Sequence, residues 1–202
     1  MNTQVKLKKY IRWTAISTLP IVLGLILFIR FSPYKKLNSS TKNAVTQEII
    51  INASPKKVFE YMTNSDIKNN WMIYIDHVDV LKSGIGNETG SLKRYYANDD
   101  ETGQHYDALV LKSEKNKMRM LKIFNYTDFP VNLSETINEQ LFEALPDDKC
   151  VLKLSLYYHK KSPDFWDELK AHVVSYRIKK VLKENLESLK ETLESQTSYT
   201  KF

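Results

Sequence analysis

From residue 45 onward the chain alternates apolar and polar side chains in short runs, and near its end the period changes. VTQEIIIN, residues 45–52, has the β-branched richness of a strand. It runs directly into PKKVFEYMT, residues 55–63, where Val58, Phe59 and Met62 recur at helical spacing. Ser54 is placed to cap that helix, and Pro55 suits its first position, where a missing N–H costs nothing. Residues 64–70 are polar and turn-like, with room for a second short helix, and end at Trp71. Strand-like runs follow at 73–82, 91–97, 104–113, 117–126, 134–145 and 149–161. Their separators, GIGNETG, NDDETG, EKN, TDFPVN and PDD, are short and rich in Gly, Asn, Asp and Pro. That composition predicts hairpins and an antiparallel sheet. Parallel strands would need crossovers of about a dozen residues or more, longer than these separators.

From Asp164 to about Ser195 the period becomes helical, with no Gly or Pro to interrupt it. Leu169, Val173, Tyr176, Val181, Leu182, Leu186, Leu189 and Leu193 form one apolar stripe. Ser162 or Asp164 can cap this helix. A helix of about 45 Å must bury its stripe somewhere, and the sheet is the one large apolar surface expected.

Before residue 45 the pattern is of another kind. WTAISTLPIVLGLILFI, residues 13–29, carries no charge and lies between Arg12 and Arg30. As a helix it would be roughly 25 Å long, near the lower limit for a hydrocarbon core of about 30 Å. Arg12 and Arg30 can snorkel to the headgroups, and Trp13 and Phe31 fall where aromatics favour the interface. Pro20 is tolerated more readily in such a span than in water. The pattern predicts a transmembrane helix at 13–31, behind a basic segment at 1–12. The competing reading, a cleaved signal peptide, wants small residues just after the apolar run, where IRFSPYKK stands instead. Residues 32–44 read as a polar tether. Basic residues flank the span almost evenly, and the free amino terminus tips the balance towards an exported domain.

Composition narrows this picture. At 202 residues, 42% hydrophobic and 27% charged, the chain has room for one ordinary domain beside the N-terminal segment. The net charge of +6 would point to nucleic acid if it lay on the domain. Eight basic and no acidic residues fall within 1–44, which leaves 22 basic against 24 acidic residues from 45 onward. The domain is therefore mildly acidic, and a nucleic-acid partner is not expected. The single cysteine, Cys150, excludes an intramolecular disulfide framework and a cysteine-rich zinc site.

The order strand, short helix, six antiparallel strands, long helix resembles the helix-grip superfamily. That superfamily includes START lipid-transfer domains, the birch pollen allergen type and the bacterial polyketide cyclase-like (SRPBCC) proteins. The resemblance rests on IIINASPKKVFEYMTN, on Trp71 with the following strand and the loop holding Gly84 and Gly86, and on the terminal helix. It implies an α+β fold over 45–196, with a short tail at 197–202. A curved seven-stranded antiparallel sheet would surround the long C-terminal helix, with the first strand at an edge. Membrane-anchored bacterial members with an N-terminal span are similar to this chain as well. One departure is at Trp71, where relatives often carry a second Trp shortly afterwards and MIYI stands here.

Candidate chemistry is sparse. The glycines of GIGNETG do not match G-x-G-x-x-G, and a strand rather than a helix follows, so a hairpin is expected there rather than a phosphate cradle. His77, His105, His159 and His172 share no metal-ligand spacing, and no metal or cofactor is expected. Glu135, Glu139 and Glu143 share one strand face as a solvated row. Cys150 reads as a packing residue. What remains is an excess of aromatic and flexible apolar side chains. Trp71, Tyr95, Tyr106, Met118, Met120, Leu154, Leu156, Tyr158, Trp166, Leu169, Val173 and Tyr176 are candidates to line a cavity between sheet and helix. Such a cavity would bind an apolar or amphipathic, lipid-like small molecule. A cyclase- or hydrolase-like activity, as in some relatives, is the enzymatic alternative, with Tyr95, Tyr106 or His105 as the acid or base to look for. A protein-interaction module with a filled core is the third.

Overall fold

A computed structural model of the protein describes residues 18–36, 43–64, 71–85, 88–129, 135–158 and 165–198. The chain divides into two units, residues 1–32 and 33–202.

In the first unit, residues 18–31 are helical (α1), and Leu19, Ile21, Val22, Leu23, Ile26 and Phe31 stand exposed along them. Residues 13–17 of the expected span lie outside the described residues. Among the described residues, no helix is long and apolar enough to cross a membrane.

The second unit is α+β: an antiparallel sheet with a long C-terminal helix. The sheet contains β1 (Lys35–Lys36), β2 (Asn43–Ile51), β3 (His77–Lys82), β4 (Leu92–Tyr96), β5 (His105–Glu114), β6 (Met118–Thr127), β7 (Thr136–Leu145) and β8 (Lys149–Tyr158). Their order is β1-β2-β8-β7-β6-β5-β4-β3. From β3 to β8 each strand pairs with its successor as a hairpin, as the short separators predict. The β7–β8 connection is a three-residue loop, Pro146 to Asp148, between the paired Leu145 and Lys149, and it holds Asp147 (φ 61°) and Asp148 (φ 56°) in the left-handed region, which Asp tolerates better than most side chains. Bulges between Val80 and Lys82 and between Val110 and Lys112 bend the sheet.

Two expectations need correction. The tether expected at 32–44 is partly built into the domain. Lys35 and Lys36 pair with Ala44 and Asn43, so β2 is not the sheet's edge. Tyr34 is buried and meets the His172 ring edge-on at 5.4 Å. The second correction concerns the long helix α3 (Phe165–Ser198), whose buried stripe is not the one expected throughout. Leu182, Leu186, Leu189 and Leu193 are buried as predicted, but the first half turns Ala171, Ser175 and Ile178 inward instead of Leu169 and Val173, and Tyr176 stands exposed at the rim of the open space beneath the helix. The inward positions are spaced four, three and four apart, which keeps one face of an α-helix.

The core is densest where the C-terminal half of α3 meets β2, β8 and the short helix α2 (Pro55–Thr63). Ser54 Oγ accepts from Lys57 N at 3.3 Å, the cap that the sequence calls for. Val58, Phe59 and Met62 are buried on one face of α2, and Phe59 meets Phe142 of β7 edge-on at 5.3 Å. Asn52, just past β2, donates through N and Nδ2 to Glu194 Oε1, both at 2.9 Å, and ties the sheet to the last turns of α3.

Candidate functional site

Under the first half of α3 the interior is open. A cavity of about 770 Å³ lies between that half and strands β4 to β8, within the roughly 300–1,000 Å³ of small-molecule sites. The last turns of α3 send Leu186, Leu189 and Leu193 into the packed core, whereas the stretch over the cavity offers Val174, Ile178 and Val181, and the floor opposite includes Ala108. The partly buried hydrophobics Ile75, Val78, Tyr106, Ile123, Leu156 and Ile178 all line the cavity, so the surface they retain faces its interior. The exposed lining residues Tyr74, Tyr176, Arg177 and Lys180 mark where it meets solvent.

Strand parity decides the floor. On β6 the inward positions are Arg119, Leu121 and Ile123; on β7, Asn138 and Gln140; on β8, Leu154 and Leu156. On β4 and β5 they are Lys93 opposite Ala108, and Tyr95 opposite Tyr106. Tyr95 and Tyr106 stack at 5.0 Å and 10°, and Tyr126 and Phe129 continue this aromatic end of the cavity. Burial raises the phenol pKa of Tyr95 and Tyr106, and that of Tyr126 to about 12. All three are neutral near pH 7. They offer hydrogen bonds rather than a base.

A polar cluster interrupts the apolar floor. Lys93 and Arg119 are only 8% and 3% exposed. Lys93 Nζ donates to Glu88 Oε1 at 3.0 Å, and Arg119 Nη2 donates to Glu88 Oε2 at 2.7 Å. Arg119 Nη1 donates to Gln140 Oε1 at 3.2 Å, and Gln140 Nε2 donates to Asn138 Oδ1 at 3.0 Å. Glu88 comes from the loop between β3 and β4, where it holds φ 71° and turns back toward β4. Gly84 permits that fold: a Cβ there would sit 2.4 Å from the Glu88 carbonyl oxygen.

Of the twelve side chains expected to line a cavity, Trp71, Tyr95, Tyr106, Leu154, Leu156 and Tyr176 do so. Met118 and Met120 have the opposite parity on β6 to the lining residues Arg119, Leu121 and Ile123, and so fall on the other face. Trp166 and Val173, at 65% and 57% exposed, point away from the sheet, and Leu169 is half-buried outside the lining. Tyr158 ends β8 opposite Thr136, and its side chain lies outside the described residues. Lys93, Arg119, Gln140, Asn138 and Glu88 were missed because charged and amide side chains read as surface. The available signal was parity: Arg119 shares a strand face with Leu121 and Ile123.

Chemistry elsewhere is structural. His105 lies on the outer face of β5, with Nδ1 3.1 Å from the Gly103 carbonyl, so it is not a cavity acid or base. On that same face Arg94 grips Asp107 through Nε at 2.7 Å and Nη2 at 3.1 Å, and holds its carboxyl below the usual range. Cys150 is buried opposite Ile51, and burial pushes its thiol up to about 11, so it is no nucleophile. His77, Asp79 and Glu101 bring potential metal-ligand atoms within 4.8 Å of one another at the β3 edge, where Glu101 is exposed.

No family model matches the sequence, and no curated protein matches it. Solved structures match in fold. Ara h 8.0201 aligns with a TM-score of 0.57 at 17% identity, over 75% of this chain and 97% of that one. The protein MLL2253 from Mesorhizobium loti gives the same values: 0.57, 17%, 75% and 97%. A START superfamily protein from Mycobacterium smegmatis aligns with a TM-score of 0.53 at 15% identity, over 78% of this chain and 98% of that one. At such identities the likeness establishes the fold alone. It is a helix-grip fold.

Proposed function

We propose that the protein binds an apolar or amphipathic, lipid-like small molecule between its sheet and α3, and is tethered to a membrane through residues 13–31 with its domain on the exported side. The observation that carries the binding reading is the cavity of about 770 Å³ floored by apolar and aromatic side chains. A filled core, as a pure interaction module would have, leaves no such space. The START superfamily likeness is consistent with a binding fold. The enzymatic alternative has no observation of its own, since the tyrosines are held neutral and His105 faces away.

Magnitudes say what the cavity must do. Covering about 300 Å² of a guest yields roughly 7 kcal/mol gross at about 25 cal/mol per Å². Association costs of at least about 4 kcal/mol leave about 3 kcal/mol, a dissociation constant in the millimolar range. Apolar contact alone is therefore a weak hold. Enclosure and a polar anchor decide the affinity.

The test of binding is extraction of the purified full chain followed by mass spectrometry, with titration of a fluorescent fatty-acid probe. A stoichiometric lipid-like species or saturable probe binding is expected; neither appearing overturns the reading. For the tether, alkaline washing of membranes should leave the full chain in the pellet and release a chain that begins at residue 33. Release of both overturns it.

A further inference from the structure

The floor of the cavity carries more positive charge and more hydrogen-bond donors than its own residues satisfy. Lys93 and Arg119 are both at least nine-tenths buried, and both use the same carboxylate, Glu88. Two cations against one anion leave a formal charge of +1 at this cluster. Burying a net charge without a counterion is costly. The acceptors are also used up. Glu88 gives one oxygen to each cation, and the Gln140 oxygen is turned to Arg119 by the bond from its own amide nitrogen to Asn138. Arg119 Nε and the indole Nε1 of Trp71, both on cavity-lining residues, have no acceptor among the described residues. Those are the deficits that an anionic acceptor would fill.

We propose that the ligand of this cavity is an amphipathic acid, whose single anionic head group lies against Lys93 and Arg119 and whose apolar tail lies along Leu121, Ile123, Leu156 and the aromatic end. This rests on the reading of the cavity as a ligand site and specifies the chemistry of that ligand. Lys93 supplies a compact charge, and the Arg119 guanidinium supplies N–H donors fixed by Glu88 and Gln140. An alcohol of the same length fills the same apolar space but leaves the charge unpaired. An amine of that length adds a second uncompensated cation.

The experiment titrates the full chain, held in phosphatidylcholine nanodiscs, with decanoate, decyl phosphate, decanol and decylamine, using empty nanodiscs as the blank. Decanoate is expected to bind about tenfold or more tighter than decanol, the scale of hydrogen bonds to charged groups, and decylamine more weakly still. Decyl phosphate binding as well as decanoate supports the same anion site and assigns it to charge; weaker binding assigns it to the planar carboxylate. Lys93→Met should bring decanoate close to decanol while leaving decanol affinity within about threefold. Glu88→Gln, which raises the cluster to a formal charge of +2, should strengthen decanoate binding, the opposite direction from general damage. Equal affinity for decanoate and decanol overturns the head-group proposal and leaves the cavity reading standing. Absence of binding by all four compounds overturns both.

Discussion

Arg119 stands directly opposite Gln140 across the β6–β7 pair, and its Nη1 donates to the Gln140 amide oxygen at 3.2 Å. Register alone therefore places a buried guanidinium beside an amide that Asn138 orients, and Glu88 completes the arrangement from a loop. The consequence is that Glu88, not Arg119, is the residue on which the cluster's electrostatics depend. Loss of Arg119 leaves Lys93 and Glu88 as a neutral pair, whereas loss of the carboxylate leaves two cations facing one another.

Glu88→Gln should therefore destabilise the unliganded domain by about 3 kcal/mol, the cost of an uncompensated buried charge. Arg119→Met should cost less than that despite removing a larger side chain. Denaturant unfolding of both variants checks the order. The reverse order would mean that packing rather than charge governs this corner of the cavity.

The two halves of α3 should respond oppositely to changes in volume. Leu189 is fully buried, and Leu189→Ala should cost about 2–5 kcal/mol. Ala108 faces the open half, so Ala108→Leu enters space that is already empty and should cost under about 1 kcal/mol, below the usual penalty for overpacking. It should nevertheless weaken binding of any tail by about tenfold, roughly the effect of excluding two methylenes. Thermal melts beside probe titrations measure the two effects. A large stability loss at Ala108 would show that the floor beneath α3 is not open.

Cys150 gives a pH-dependent report on the packed half. Its folded thiol is pushed up to about 11 by burial, above its ordinary value, so the folded state holds the proton more tightly than the unfolded state. Its contribution to stability is complete below the ordinary thiol range of about 8.5 and is lost as pH rises toward 11. A Cys150→Ala chain should lack that alkaline slope. At pH 8 a thiol reagent should label the native wild-type chain only as fast as it unfolds; labelling at the rate of a free thiol would place Cys150 at an accessible site.

Gly84 and Gly90 flank the segment that bears Glu88 and should fail for different reasons. A Cβ at residue 84 meets the Glu88 backbone oxygen at 2.4 Å, so Gly84→Ala must move the loop and withdraw the carboxylate. A Cβ at residue 90 meets nothing within 4 Å, but φ of 83° strains any L side chain by about 1–2 kcal/mol. Both variants should lose stability, and only Gly84→Ala should alter the preference for acids over alcohols. Titration with decanoate and decanol separates them.

The elements were legible in the sequence because each hairpin turn and each helix carries local signals: the Ser54–Pro55 start of α2, Asp147–Asp148 between β7 and β8, and the leucines of α3. The site was less legible, for two physical reasons. MRMLKIF on β6 carries apolar side chains at both parities, so only the pairing of Arg119 with Gln140 fixes which face turns inward. Along the first half of α3 the inward face is marked by small residues, Ala171 and Ser175, which an apolar stripe drawn through the larger Leu169 and Val173 passes over. A search for bulky apolar residues does not register an inward face marked by small ones.

Two bonds fasten the rim of the cavity, and for the guest proposed above they should govern access rather than affinity. Ile73 N donates to Asn185 Oδ1 at 3.1 Å, and the Tyr74 hydroxyl donates to Glu184 Oε2 at 2.9 Å. Both bonds join the segment after Trp71 to the middle of α3, and Tyr74 and Asn185 are themselves lining residues. A guest that passes between this segment and the helix needs both bonds broken at once, so each contributes to the barrier and little to the bound state. Tyr74→Phe keeps the ring and removes one bond, worth about 1 kcal/mol, which corresponds to roughly a fivefold faster release. Asn185→Ala should act in the same direction, and the two together should multiply. Stopped-flow displacement of a bound fluorescent fatty acid gives the release rate, and equilibrium titration gives the affinity. If release is unchanged in the double variant, the guest enters elsewhere, and the exposed positions Tyr176 and Arg177 on α3 become the next place to perturb.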